Sequence, residues 1–323
     1  MKSVPHRATS ASAPESSKGR GDPASTSSSS SEVRPKLVRF EELAALPDDR
    51  IDVALGFALV AKDVYASLDV HALLARFDAL AAPLQGLGLH DASPKEQVSA
   101  ISKYLFEDLG FRGNEGDYED PRNSLLPDVL DRKLGIPITL ALVYCEVARR
   151  VGVPAYGVGF PAHFLIGIDQ PRALAPARAS GEKEPVAILP ILVDPFGGKL
   201  LERPDVVALL HRVFGGKAKL RDEYVARSAP RATLLRMLTN LKSVHLHRGD
   251  FARALLALDR ILVLSPQATD ALRERSVLSE RLGAHEAAKA DLLKLLEISP
   301  GIGDAEAIRA RIRKLEGGGR VLH

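Results

Sequence analysis

The chain has 323 residues, 46% of them apolar and 5% aromatic with no Trp, and a formal net charge of +3. That apolar content is ample for the cores of two modest domains, while the small, interspersed charge and scarce aromatics argue against a nucleic-acid surface. A single cysteine, Cys145, excludes an intramolecular disulfide, and no apolar run nears the roughly 18 residues of a membrane span. With no apolar signal segment at the N-terminus either, these features predict a cytoplasmic protein.

Residues 1–35 hold eleven Ser, including the run Ser27–Ser31, and almost no large apolar side chains. Such a segment buries too little surface to offset its ordering entropy and reads as a disordered Ser-rich tail. From Val38 to Leu84 the apolar spacing is helical, with breaks at Pro47 and Pro83. Ser93 and Pro94 fit the N-cap and first position of a further helix running to about Gly110. A polar, turn-rich loop follows from Asn114 to Asn123, where Asp117, Glu119, Asp120 and Asn123 suit the capping of neighbouring backbone groups.

The next stretch organises the rest. A buried helix is predicted with Pro137 just inside its start and Gly152 just past its end. Two short apolar runs, Tyr156–Phe160 and Phe164–Ile168, read as strands, with His163 immediately before the second. A third strand, Ile191–Val193, is closed by Asp194. The Pro- and Ala-rich segment 170–185 reads as a long hairpin loop or a disordered insertion. After the PFGGK turn, LLERPDVVALLHRVFGG is predicted as a helix ending at Gly215–Gly216.

The C-terminal third repeats itself. Gly249 recurs at Gly283, Ala254 at Ala288, Leu258 at Leu292, Leu262 at Leu296 and Ser265–Pro266 at Ser299–Pro300, always 34 residues apart. That is the tetratricopeptide period, and a last helix over Asp304–Leu315 reads as its cap. Two repeats are fewer than the three or so that usually stand alone, so they are expected to pack on the preceding domain. The expected domains are 1–35, 36–222 and 223–323.

Helix, strand with His, strand with Asp is the order in which a papain-like or transglutaminase-like site presents nucleophile, base and orienter. The stretch DYEDPRNSLLPDVLDRKLGIPITLALVYCEVARRVGVPAYGVGFPAHFLI, with LVDPFGG after it, resembles the SirB-type family, which is widespread in bacteria. The resemblance covers roughly residues 36–316 and implies an α+β fold: a papain/transglutaminase-like core with a helical N-terminal extension, then a small all-α tetratricopeptide-repeat unit. The wider superfamily performs acyl transfer or amide hydrolysis with Cys, His and Asp. His163 matches its histidine and Asp194 the aspartate that orients it. The nucleophilic Cys would start the central helix, where this chain has Pro137, Ile138 and Thr139. Asn123, in a loop that belongs to the family signature, is expected beside His163.

Two hydroxyl or thiol groups compete for the empty role. Cys145 lies roughly 9–12 Å further along the helix axis, among apolar residues that disfavour a thiolate. Thr139 is in the right place but would need a strong base, and a Thr in a first helical turn more often satisfies a backbone group. The expected function is therefore a non-catalytic, transglutaminase-like interaction or regulatory module. Its repeats would bind a protein or peptide partner, and a cleft at Asn123, His163 and Asp194 would hold a peptide or small ligand. The alternative is an amide or acyl hydrolase working through Thr139 or a water activated by His163. No cofactor, metal, nucleic acid or membrane is implied, since His163 and Asp194 lack further ligands at metal-site spacing.

Overall fold

The computed structural model describes residues 39–170 and 190–318. All of them fall within one compact unit, 37–323. The Ser-rich tail and nearly all of the 170–185 segment lie outside the described residues.

The central element is α6, Pro137–Arg150. Proline at its first position supplies a preset φ and lacks an N–H that would be unpaired there in any case. Its end is a Schellman turn: Gly152 takes φ 76°, its N–H bonds the Arg149 carbonyl at 3.2 Å, and the Val153 N–H bonds the Ala148 carbonyl at 2.9 Å. Between these limits α6 is apolar on nearly every side, because it is covered on nearly every side. Helices α2 (Val53–Val64), α3 (Val70–Ala81), α4 (Pro94–Ser102) and α5 (Leu126–Arg132) contact it, as does a sheet.

That sheet is an antiparallel meander, β3–β4–β5–β6, over Ala155–Val158, Leu165–Ile168, Ile191–Asp194 and Lys199–Leu201. Side chains alternate between its faces. Phe164, Ile166, Ile168, Ile191 and Val193 join the main core around α6. Tyr156, Val158, Leu165 and Leu192 join a smaller cluster under α7, Arg203–Phe214. Both faces of β4 are covered, which is why its four residues are all buried.

Three features depart from the sequence reading. The helix after Pro94 changes to a π-helical turn at Lys103–Asp108, where the Leu109 N–H reaches back five residues to the Tyr104 carbonyl. Two-residue strands β1 (Arg112–Gly113) and β2 (Leu134–Gly135) pair in parallel, and a segment this short carries no periodic signal. Leu200–Leu201, expected in a helix, forms β6 instead, and α7 begins only at Arg203 with Pro204 inside its first turn.

The repeat region comprises α8 (Pro230–His247), α9 (Phe251–Leu264), α10 (Thr269–Arg281), α11 (His285–Ile298) and α12 (Ala305–Gly318). Both mid-repeat turns close identically. The N–H groups of Gly249 and Asp250 bond the Leu246 and His245 carbonyls, and 34 residues later those of Gly283 and Ala284 bond Glu280 and Ser279. Positive φ at both glycines explains their recurrence. The repeats pack on the N-terminal helices, α8 against α2 and α9 against α1 (Phe40–Ala44). Arg231 donates to the carbonyls of Ala44, Leu46 and Leu264 at 3.0 Å each, and Arg260 bonds Asp63 and Glu41 at 2.6–2.7 Å.

Candidate functional site

His163 is presented by a turn at the edge of the sheet. Phe160, Pro161, Ala162 and His163 form it, closed by the His163 N–H on the Phe160 carbonyl at 3.1 Å. Proline at the second position and a positive φ, 52° at Ala162, at the third are the type II signature, with alanine where glycine is favoured. The imidazole leaves this turn for the end of β5, where its Nε2 lies 3.0 Å from Asp194 Oδ1. The two side chains keep 22% and 24% of their exposure, so the pair opens to solvent on one side. Among the described residues Nδ1 has no hydrogen-bond partner.

Asp194 is held twice. Its Oδ1 also accepts the Phe196 N–H at 2.9 Å. Burial opposes its ionisation, but the hydrogen bonds from His163 and Phe196 together hold the carboxyl below its ordinary value. It is therefore a carboxylate at neutral pH, and with Nε2 committed to it the nitrogen left to face a ligand is Nδ1.

Phe196 ties the pair to the 114–123 loop. Its carbonyl accepts the Gly113 N–H at 2.8 Å, and its ring occupies the space a side chain at Gly113 would need. The ring of Tyr118, a half-exposed residue, lies 6.2 Å from that of Phe196. Burial raises the Tyr118 phenol against the pull of Arg236. Sequence reasoning missed Tyr118, Phe196 and Arg236. Phe196 was within reach, standing two residues after Asp194. Tyr118 is the one aromatic residue in the loop, whereas Arg236 has no local signal at all.

Asn123 and Thr139 are not placed on this open face. Asn123 is fully buried and its side chain is used inside its own loop. Its Nδ2 donates to the Asp117 carbonyl at 2.8 Å, and its Oδ1 accepts from Asn114 at 3.0 Å. Thr139 is equally buried. Its Oγ1 accepts the Ile136 N–H at 3.1 Å and donates to the Asn123 carbonyl at 2.8 Å, with the Ile136 carbonyl at 2.9 Å as a second acceptor. This hydroxyl is a latch between the loop and the start of α6. Cys145, two turns along, is partly buried against the core, and desolvation pushes its thiol up to about 12. Among the described residues no group of three or more His, Cys, Asp or Glu side chains converges as a metal site, and no helix is long and apolar enough to cross a membrane.

The geometry is thus that of a part-exposed His–Asp pair at the end of β5, and of a buried helix whose first-turn hydroxyl, that of Thr139, is already bonded. Residues 71–239 match the family model described as the transglutaminase-like superfamily, and residues 241–313 match a tetratricopeptide repeat. A UPF0162 protein of Xylella fastidiosa (strain 9a5c) is 33% identical over 288 residues, covering 85% of this chain and 94% of the relative. A UPF0162 protein of Pseudomonas aeruginosa is 31% identical over 266 residues, covering 82% and 90%. The F-box only protein 21 of Mus musculus is 45% identical over 69 residues, 21% of this chain and 11% of that protein. The chain belongs to the transglutaminase-like superfamily and, by similarity along most of its length, to the UPF0162 proteins.

Proposed function

We propose that this SirB-type chain is a non-catalytic binding module, in which the open His163–Asp194 pair recognises a peptide or small ligand and the repeats engage a protein partner. One observation carries the reading: the His163–Asp194 pair is intact, while the only hydroxyl in the first turn of α6, that of Thr139, is buried and fully bonded. A nucleophile needs an accessible lone pair and a base to take its proton. Thr139 offers neither, and a Cys145 thiol held near 12 is protonated at neutral pH. His163 remains as a part-exposed donor–acceptor, and Phe196, whose N–H shares the Asp194 carboxylate, has its ring 6.2 Å from that of the half-exposed Tyr118, which suits recognition.

The rival reading is hydrolysis by a water on His163 Nδ1, and the unpartnered Nδ1 favours it. One experiment separates the two. The intact protein is incubated with ester, thioester and amide substrates and with thiol- and hydroxyl-directed acylating probes, and labelled sites are mapped by peptide mass spectrometry. The same protein is then screened on a random peptide array. Array binding lost in His163→Ala, with no turnover and no label on Thr139 or Cys145, supports the binding module. Turnover abolished by His163→Ala refutes it.

A further inference from the structure

The turn that presents His163 does not hold itself in place. Ala162 adopts a left-handed φ that an L-residue disfavours, and a single backbone hydrogen bond closes the turn. The rest of the support comes from α8, which spans the boundary between the transglutaminase-like and repeat matches. Arg236 Nη1 donates to the Phe160 carbonyl at 2.9 Å and Nη2 to the His163 carbonyl at 2.5 Å. Its guanidinium carbon also lies 5.5 Å from the centre of the Phe164 ring. The planar fork therefore grips both ends of the turn at once, which a point charge on a flexible stem does not do. Among the described residues the His163 carbonyl has no other donor.

The same helix also holds the 114–123 loop. About three turns on, and so on the same side of α8, His247 Nδ1 lies 3.0 Å from Glu119 Oε1. Arg248 Nε donates to the Glu119 carbonyl at 2.8 Å and its Nη2 to Asp117 at 2.6 Å. Glu119 and Asp117 flank Tyr118. At 1.5 Å per residue the two anchor points are roughly 16 Å apart along one rigid rod.

We propose that Arg236 is a positioning residue for His163, so that α8 sets the geometry of the His163–Asp194 pair. The inference rests on reading that pair as the working part of the site. Arg236 touches no ligand in this scheme; it acts through the turn. Without its fork the turn loses two hydrogen bonds from a charged donor, and the ordered population should fall about tenfold or more.

The test reads the imidazole itself, in ligand-free full-length protein. Ring-15N histidine labelling, with His163→Asn to assign the signal, gives the tautomer and the Asp194 bond directly. In Arg236→Gln the His163 nitrogens should shift toward those of a solvent-exposed histidine, and its acylation by diethyl pyrocarbonate should quicken about tenfold. Arg260→Gln also removes a repeat-region arginine that reaches the N-terminal helices, but it should leave His163 unchanged whatever it does to stability. If Arg236→Gln does not fold, Arg236→Lys, which keeps the charge and loses the fork, should show the same change in smaller measure. His163 signals that overlay the wild type in a folded Arg236 variant overturn the proposal, as does an equal shift in Arg260→Gln. The readout needs no ligand. Unchanged imidazole signals therefore count against the positioning role, while an empty peptide array counts against the binding module.

Discussion

Thr139→Val is the sharpest test of the joint at the start of α6. Valine keeps the volume and removes only the hydroxyl. The Ile136 N–H then loses the acceptor at 3.1 Å, and the buried Asn123 carbonyl loses the donor at 2.8 Å. Each buried group left unpaired costs about 1–3 kcal/mol, so the pair together should cost about 3 kcal/mol. Thr139→Ser keeps both hydrogen bonds and gives up one buried methyl, about 1 kcal/mol. Serine should therefore be the milder change by about 2 kcal/mol, and for a unit of this size the valine variant should melt about 6 °C below the wild type. Thermal and urea midpoints of the three proteins make the comparison, and hydrogen exchange across residues 114–123 shows whether the loop is released. Valine as stable as serine, with loop protection unchanged, would refute the latch.

Three further outcomes follow from the same geometry. In Gly113→Ala the new methyl would come within 2.2 Å of the Phe196 ring, so overpacking should cost about 1–3 kcal/mol and the displaced Phe196 should loosen Asp194; melting and the His163 ring signals report both. Asp120, Glu146 and Asp194 are all buried against ionisation but held below their ordinary values of 3.8, 4.5 and 3.8 by hydrogen bonds, from Arg122, from Arg149 and Arg150, and from His163 respectively. A depressed folded pKa adds stability that is complete above the ordinary value and is lost as pH falls through the lower one, so the melting temperature should hold from pH 7 to about 5 and drop below about 4; a flat profile down to pH 3 contradicts these assignments. Cys145, with its thiol near 12, should react with Ellman's reagent at pH 8 at least about a hundredfold more slowly in the native protein than in denaturant, and prompt native labelling would contradict its burial.

How far the sequence anticipated this depends on how local each signal is. The ends of α6 were legible because Pro137 and Gly152 act within one turn of themselves. The repeat was legible because two copies of one mid-repeat turn need glycine in the same left-handed conformation. His163 and Asp194 were paired through the order of helix and strands, and the structure places them 3.0 Å apart. The misses are non-local. The Thr139 hydroxyl meets a carbonyl 16 residues away, and Arg236 meets one 73 residues away. No periodicity or spacing rule encodes either. Asn123 shows the opposite error: a polar residue in a signature loop suggested a cleft wall, whereas its amide is consumed in holding the loop to itself.

The start of α6 is built as a structural joint. A helix N-terminus stabilises an anion only if its N–H groups are free to point at one. Here Pro137 has no N–H, and those of Thr139 and Leu140 both lie 3.1 Å from the Ile136 carbonyl. The Ile136 N–H ends on the Thr139 hydroxyl. Three of the groups that would lower a thiol pKa or cradle an oxyanion are thus already paired within the helix start. The hydroxyl that does this also holds the Asn123 carbonyl, and Asn123 holds the carbonyls of Asp117 and Tyr118. Tyr118, the aromatic wall facing Phe196, is consequently anchored from two sides, by α6 through Thr139 and by α8 through Arg248. A cysteine at position 139 would place a thiol where the loop needs a hydroxyl and would weaken the hold on Asn123 and, through it, on Tyr118. Binding geometry and thiol chemistry therefore compete for one helix end, and the hydrogen bonds at Thr139 give that end to the loop.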